Sequence, residues 1–208
     1  WIHWLYEARR RYGLSVLNYT VTSNHIHLLV RDNGRQELSS SMQLAAGCVA
    51  QEYNRRKSRK GAFWEDRYHA TAVATDEHLV QCLIYIDLNM VRAGVVNHPG
   101  DWRESGYAEL LAMRERYKIL DIPALLELLN VDDNGRLVTQ RQAWVDQALA
   151  AGRGEEGRDT RWTAGVAIGS YEYVEGVQKE LGHSVLGRSV VEQGGSCVLR
   201  EDEASYNP

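Results

Sequence analysis

Two short runs rich in strand-forming residues, LSVLNYTV at 14–21 and HIHLLVR at 25–31, are separated only by Thr22-Ser23-Asn24. Three residues of turn chemistry leave no length for a crossover, so the runs must pair antiparallel as a hairpin. Helical patterns bracket the hairpin. Residues 1–12 place Trp1, Trp4, Leu5 and Ala8 at helical spacing and stop before Gly13. Residues 37–57 carry an apolar stripe of Leu38, Met42, Ala45 and Val49, with Gly47 as a weak point inside it. A third strand is predicted near 68–74. Thr75-Asp76-Glu77 then has the chemistry of a helix start, and a helix is predicted over 76–90, followed by Gly94. This order predicts an α+β chain: a ferredoxin-like or RRM-like antiparallel sheet with helices on one face and its first strand missing.

Residues 95–107 read as irregular. Beyond them helices are predicted at 108–118, 123–130 and 139–151, with a turn at Asp132-Asp133-Asn134-Gly135. A Gly- and charge-rich linker follows over 152–159, then a last helix over 171–182 and a poorly ordered Gly/Ser-rich tail. The expected division is a domain over 1–110 and a mainly helical extension over 111–208. The chain opens directly on a helical pattern, with neither initiator Met nor secretory leader, and so reads as truncated at its N-terminus.

Charge decides which partners are open to such a chain. The net charge of −4 argues against nucleic acid, but it is unevenly distributed. Residues 1–112 hold 13 Lys+Arg against 12 Asp+Glu, whereas 113–208 hold 11 against 16. The cations of the first part are clustered, at Arg9-Arg10-Arg11 and at Arg55-Arg56-Lys57 with Arg59-Lys60. Local clusters set the field that a phosphate meets. A basic run at a helix end is also an ordinary solvated face. The apolar stretches are short and broken by charges, which excludes a spanning helix and a membrane partner. Cysteines 48, 82 and 197 form no CxxC pair, which argues against a zinc ribbon or a disulfide framework and suits a cytoplasmic protein.

Three groups of residues can carry chemistry. His25 and His27 stand at i and i+2 of a strand and project from one face. Two neutral imidazoles converging on a point form a metal half-site, although a hydrogen-bonded pair on an open sheet would look the same. Tyr85 and Asn89 stand at i and i+4 of the predicted helix, among apolar Leu83, Ile84, Ile86 and Leu88. A Tyr in such a run is ordinarily core; an Asn is less expected there. Phe63-Trp64-Glu65-Asp66-Arg67-Tyr68 combines rings, which stack on unpaired bases, with an Arg for phosphate. The same rings would equally anchor the strand that follows.

Taken together these strings are far less generic. Asn24-His25-Ile26-His27-Leu28-Leu29-Val30 closely resembles the HUH signature (His, hydrophobic, His) of REP-associated tyrosine transposases and other single-tyrosine HUH transposases. Tyr85-Ile86-Asp87-Leu88-Asn89-Met90-Val91-Arg92-Ala93-Gly94-Val95-Val96 resembles that family's tyrosine helix and following turn, with Met90 where the family usually has Pro. Phe63–His69 and His98-Pro99-Gly100-Asp101-Trp102 also resemble family segments. The resemblance covers about residues 1–110. It implies Tyr85 as the nucleophile and His25, His27 and Asn89 as ligands of Mg²⁺ or Mn²⁺. It implies transesterification of single-stranded or hairpin DNA through a 5′-phosphotyrosine. Arg55, Arg56, Lys57, Lys60, Trp64, Arg67, Tyr68 and Arg92 are the expected DNA contacts. A homodimer is one expected state, and the implied location is the bacterial cytoplasm, at the nucleoid when DNA is bound. Two rivals stay open: a non-catalytic nucleic-acid-binding regulator on the same fold, and a metal-dependent phosphohydrolase that adds Asp87 or Glu65 to the histidines.

Overall fold

The computed structural model describes residues 1–75, 77–112, 114–155 and 157–201. Its helices and sheets form the α+β class expected from the sequence. Contacts group the chain into two compact units, residues 1–66 with 83–155, and residues 67–82 with 156–208. Among the described residues no helix is long and apolar enough to cross a membrane, and the three cysteines form no disulfide.

In the first unit, α1 (Ile2–Tyr12) buries Leu5 and Ala8 of the predicted stripe. It stops at Gly13, whose left-handed φ of 73° lets its N–H return to the Arg9 carbonyl. The hairpin forms as required, with β1 (Ser15–Val21) antiparallel to β2 (Ile26–Arg31). Six consecutive residues of β1, Ser15 to Thr20, are buried, so this strand is covered on both faces. Its outer edge is closed by bridges from Val16 to Leu120 and from Thr20 to Ser105. The long helix α2 (Glu37–Arg56) runs unbroken through Gly47, with Met42 and Ala45 buried.

The helix predicted over 76–90 is interrupted. It runs as α3 (Glu77–Asp87), turns at Leu88 and resumes as α4 (Asn89–Arg92). Asn is a poor residue for a helix interior, and here it begins the new turn. Asp76 of the predicted cap lies outside the described residues. Gly94 follows with φ 67°, as expected of a helix stop.

Downstream the boundaries shift toward side-chain caps. The helix predicted over 108–118 is the shorter α5 (Gly106–Leu111), capped by Ser105; Met113 lies outside the described residues. Next come α6 (Ile122–Leu129), capped by Asp121, and α7 (Asn134–Ala150), capped by Asp133. The Asp132–Gly135 string read as a turn is therefore the start of α7, because the Asp133 carboxylate takes the Arg136 N–H at 2.9 Å.

The second unit holds β3 (Ala72–Val73), β4 (Ala167–Gly169), β5 (Arg188–Gln193) and β6 (Ser196–Glu201) in the order β3-β4-β6-β5. The predicted third strand thus pairs parallel with β4 and does not extend the hairpin. Helix α8 (Tyr171–Leu181), close to its predicted bounds, sends Val174 into a small core with Ala167, Val185 and Leu199. The tail expected to be poorly ordered forms the β5–β6 hairpin up to residue 201; residues 202–208 lie outside the described residues. Its two-residue loop, Gly194-Gly195, has positive φ at both positions, the geometry that matches strand twist.

Candidate active site

Strand β1 ties the histidine strand to the tyrosine helix. Thr20 and His27 are register partners, so their side chains share a face. That face meets α3: Thr20 Oγ1 donates to the Ile86 carbonyl at 3.0 Å, and Asn18 Nδ2 donates to the Leu83 carbonyl at 3.2 Å. The local consequence is a row of three rings. His25 and His27 lie 5.1 Å apart, nearly perpendicular, and His27 lies 5.8 Å from the ring of Tyr85.

His25 is oriented by its own turn. Its Nδ1 lies 2.8 Å from Asn24 Oδ1 and 3.0 Å from Thr22 Oγ1. With the Asn24 oxygen as acceptor, Nδ1 carries the proton and Nε2 keeps a lone pair for a ligand. The hairpin end is held in turn by Trp102, whose Nε1 donates to the Val21 carbonyl at 3.0 Å, and by Val21 N–H to the Glu104 carbonyl.

At the other end of the row Arg92 closes over Tyr85. Its guanidinium carbon sits 4.1 Å from the ring centroid, and Nη2 donates to the Tyr85 carbonyl at 2.7 Å. That carbonyl is the acceptor residue 89 would use in an unbroken helix. Asn89 Oδ1 is buried and has no hydrogen-bond partner among the described residues, a costly state for an amide oxygen unless a ligand completes it. No group of three His, Cys, Asp or Glu side chains is placed to hold a metal among the described residues.

Asp87, offered by the phosphohydrolase reading as a third ligand, is committed elsewhere. Its carboxylate takes Arg141 Nε at 2.7 Å and Nη2 at 2.9 Å, and Asn18 Nδ2 at 2.8 Å. The Arg141 and Asp87 side chains are 2% and 0% exposed. This clamp fixes the tyrosine helix from behind, and sequence reasoning missed two of its three members. The signal was a lone carboxylate inside the apolar run LIYIDLNM, which demands a buried cation. Nothing in the sequence distinguishes Arg141 from the other arginines.

The expected DNA contacts are dispersed. Arg55, Arg56, Lys57 and Lys60 are exposed at and after the end of α2, where Arg56 pairs with Glu52. Trp64 is partly buried: its Nε1 donates to the Ala46 carbonyl at 3.1 Å, and its ring packs on Trp1 and Phe63. It thus anchors its loop to α2. Arg67 and Tyr68 are exposed and belong to the second unit.

Residues 2–89 match the family model described as "Transposase IS200 like". This segment is similar to IS200-like transposases. The matched segment runs from α1 to Asn89, so it contains both histidines, Tyr85 and the orphaned amide. The similarity supports a DNA-processing enzyme that acts in transposition and binds DNA. No curated protein and no solved structure matches the chain.

Proposed function

We propose that the chain is a single-strand DNA transposase of the REP-associated tyrosine branch, which cleaves and rejoins hairpin-flanked DNA through Tyr85. The observation that carries this reading is the row His25–His27–Tyr85, with ring centroids 5.1 and 5.8 Å apart; the buried Asn89 oxygen, without a hydrogen-bond partner among the described residues, is the third donor the reading assigns. His25 Nε2, a ring nitrogen of His27 and Asn89 Oδ1 would hold a divalent cation. Two nitrogens and one oxygen suit Mn²⁺ better than Mg²⁺, which prefers oxygen alone. A cation bound there supplies Lewis-acid polarisation of the phosphate oxygens.

The chain's own residues do the rest. Tyr85 Oη forms a bond to phosphorus as the bond from phosphorus to O3′ breaks. The phenolic proton is released, and the departing O3′ takes up a proton. The products are a 5′-phosphotyrosine and a free 3′-hydroxyl. Attack by another 3′-hydroxyl reverses the exchange and restores Tyr85, so no nucleotide cofactor is consumed. The clamp on Asp87 and the stacking of Arg92 keep the ring from swinging out of line. The exposed cations at 55–60 hold the strand by its phosphates.

The test is a denaturing gel of the protein incubated with labelled single-stranded hairpin DNA from its flanking sequence, with Mn²⁺. A covalent protein–DNA band is expected that disappears with chelator and in Tyr85→Phe. Tight, salt-sensitive binding with no band in the presence of Mn²⁺ would instead identify a regulator.

A further inference from the structure

On the first unit, α1 and the loop before α6 enclose an open cleft of about 350 Å³, lined by Tyr6, Glu115, Arg116, Tyr117 and Lys118. We infer that this cleft is a second DNA contact, a stacking site for one unpaired nucleotide of single-stranded DNA, separate from the Tyr85 centre. The inference rests on the transposase reading for its choice of DNA, and on the cleft's own chemistry for the rest.

Tyr117 is the central feature. It holds a left-handed φ of 56°, a conformation that a bulky L residue adopts only when its surroundings impose it. Such strain clusters where a side chain is aimed at a ligand. The ring is 41% exposed. It is braced edgewise by His3 at 5.3 Å and Tyr6 at 5.4 Å, both from α1. The loop is pinned to the same helix, since Arg9 Nη1 donates to the Lys118 carbonyl at 2.9 Å. A rigid, half-open aromatic ring is thus presented at the mouth of a cleft.

The charges complete the match. Arg116 and Lys118 flank the ring, are exposed, and make no ion pair among the described residues; Glu115 is the one carboxylate in the lining. Rings with adjacent cations fit a ligand that joins a flat π surface to a phosphate. The volume lies at the low end for small-ligand sites and suits one nucleotide. A duplex keeps its bases stacked inside and offers no face to Tyr117. Arg116, Tyr117 and Lys118 all lie outside the matched segment 2–89.

The experiment measures binding of the full chain to a labelled oligo-dT by fluorescence anisotropy across a salt series. Tyr117→Gly removes the ring while suiting the backbone, so it is expected to raise Tm and yet weaken binding on the order of tenfold. Tyr117→Phe should keep wild-type affinity. Arg116→Gln with Lys118→Gln should reduce the slope of log K against log salt by about 1.4. Unchanged affinity in Tyr117→Gly, an unchanged salt slope, or no binding by the wild type each overturns the proposal. Tighter binding of the matching RNA overturns its assignment to DNA. If the wild type forms a Tyr85 adduct while Tyr117→Gly binds normally, this proposal alone fails. If Tyr117→Gly loses affinity but the wild type forms no adduct, the transposase reading alone fails.

Discussion

Arg141→Met tests the clamp behind the tyrosine helix. The substitution leaves the Asp87 carboxylate, 0% exposed, with one hydrogen-bond donor, Asn18 Nδ2 at 2.8 Å, where it had three. An uncompensated buried charge of this kind costs about 3–5 kcal/mol. For a chain of this size each kcal/mol moves Tm by roughly 2–4 °C, so the melt is predicted to fall by about 6–20 °C. Asp87→Leu combined with Arg141→Met removes both charges and fills the space with apolar atoms, which is often neutral for stability. The double variant therefore separates stability from position. It should melt near the wild type, yet, on the proposed mechanism, form the Tyr85–DNA adduct on the order of 10- to 100-fold more slowly in single turnover, because the helix carrying Tyr85 is no longer fixed. Single-strand binding should not change. The reasoning is refuted if Arg141→Met melts within a degree or two of the wild type, since a desolvated charge cannot lose its main partner at no cost.

Other predictions rest on single positions. A Cβ added at Gly47 meets nothing within 4 Å, so Gly47→Ala should stabilise α2 by about 0.5–1 kcal/mol in urea denaturation; a loss would mean the helix needs flexibility there. A Cβ at Gly106 would lie 2.4 Å from Asn18 Oδ1 and 3.1 Å from the Tyr19 amide nitrogen. Gly106→Ala should therefore destabilise by about 1–3 kcal/mol, and an unchanged urea midpoint would contradict that contact. Asn89→Ala should weaken Mn²⁺ binding in calorimetry without lowering Tm, because its oxygen has no hydrogen bond to lose; unchanged affinity would remove Asn89 from the ligand set. Burial, reinforced by Glu109, pushes the Tyr19 hydroxyl far above its ordinary value. Burial first, and then the Asp87 charge, push Tyr107 up to about 12. Above pH ~10, where unfolded tyrosines ionise, the folded state holds more protons. Stability should be full below that pH and fall as pH rises through it, and Tyr107→Phe should make the fall shallower; an equally steep fall would assign it to other groups.

Much of the candidate site was legible because it depends on short-range geometry. A three-residue turn forces a hairpin, the i, i+2 spacing where the turn meets β2 brings the His25 and His27 rings to 5.1 Å, and a Gly after a basic last turn ends α1. These features follow from steric rules that act within a few residues. The Gly-Gly loop of β5–β6 falls outside this class. Its Gly/Ser composition reads as a flexible tail, and only the pairing of β5 with β6 sets both glycines at positive φ. The start of α7 is open in the same way, since Asp133 serves a turn and a cap equally well until the following N–H groups are placed.

The sequence by itself therefore determined the hairpin, the spacing of its histidines and the four-residue separation of Tyr85 from Asn89. Tertiary structure alone decided that Asp87 would face Arg141 from 54 residues away. It also decided that α3 would break at Leu88 with Arg92 over Tyr85, and that β3 would pair with β4. Each of these joins groups far apart in the chain or redirects a group that local rules had already satisfied. Their energies come from burial, desolvation and pairing, which have no value until the distant partner is in place.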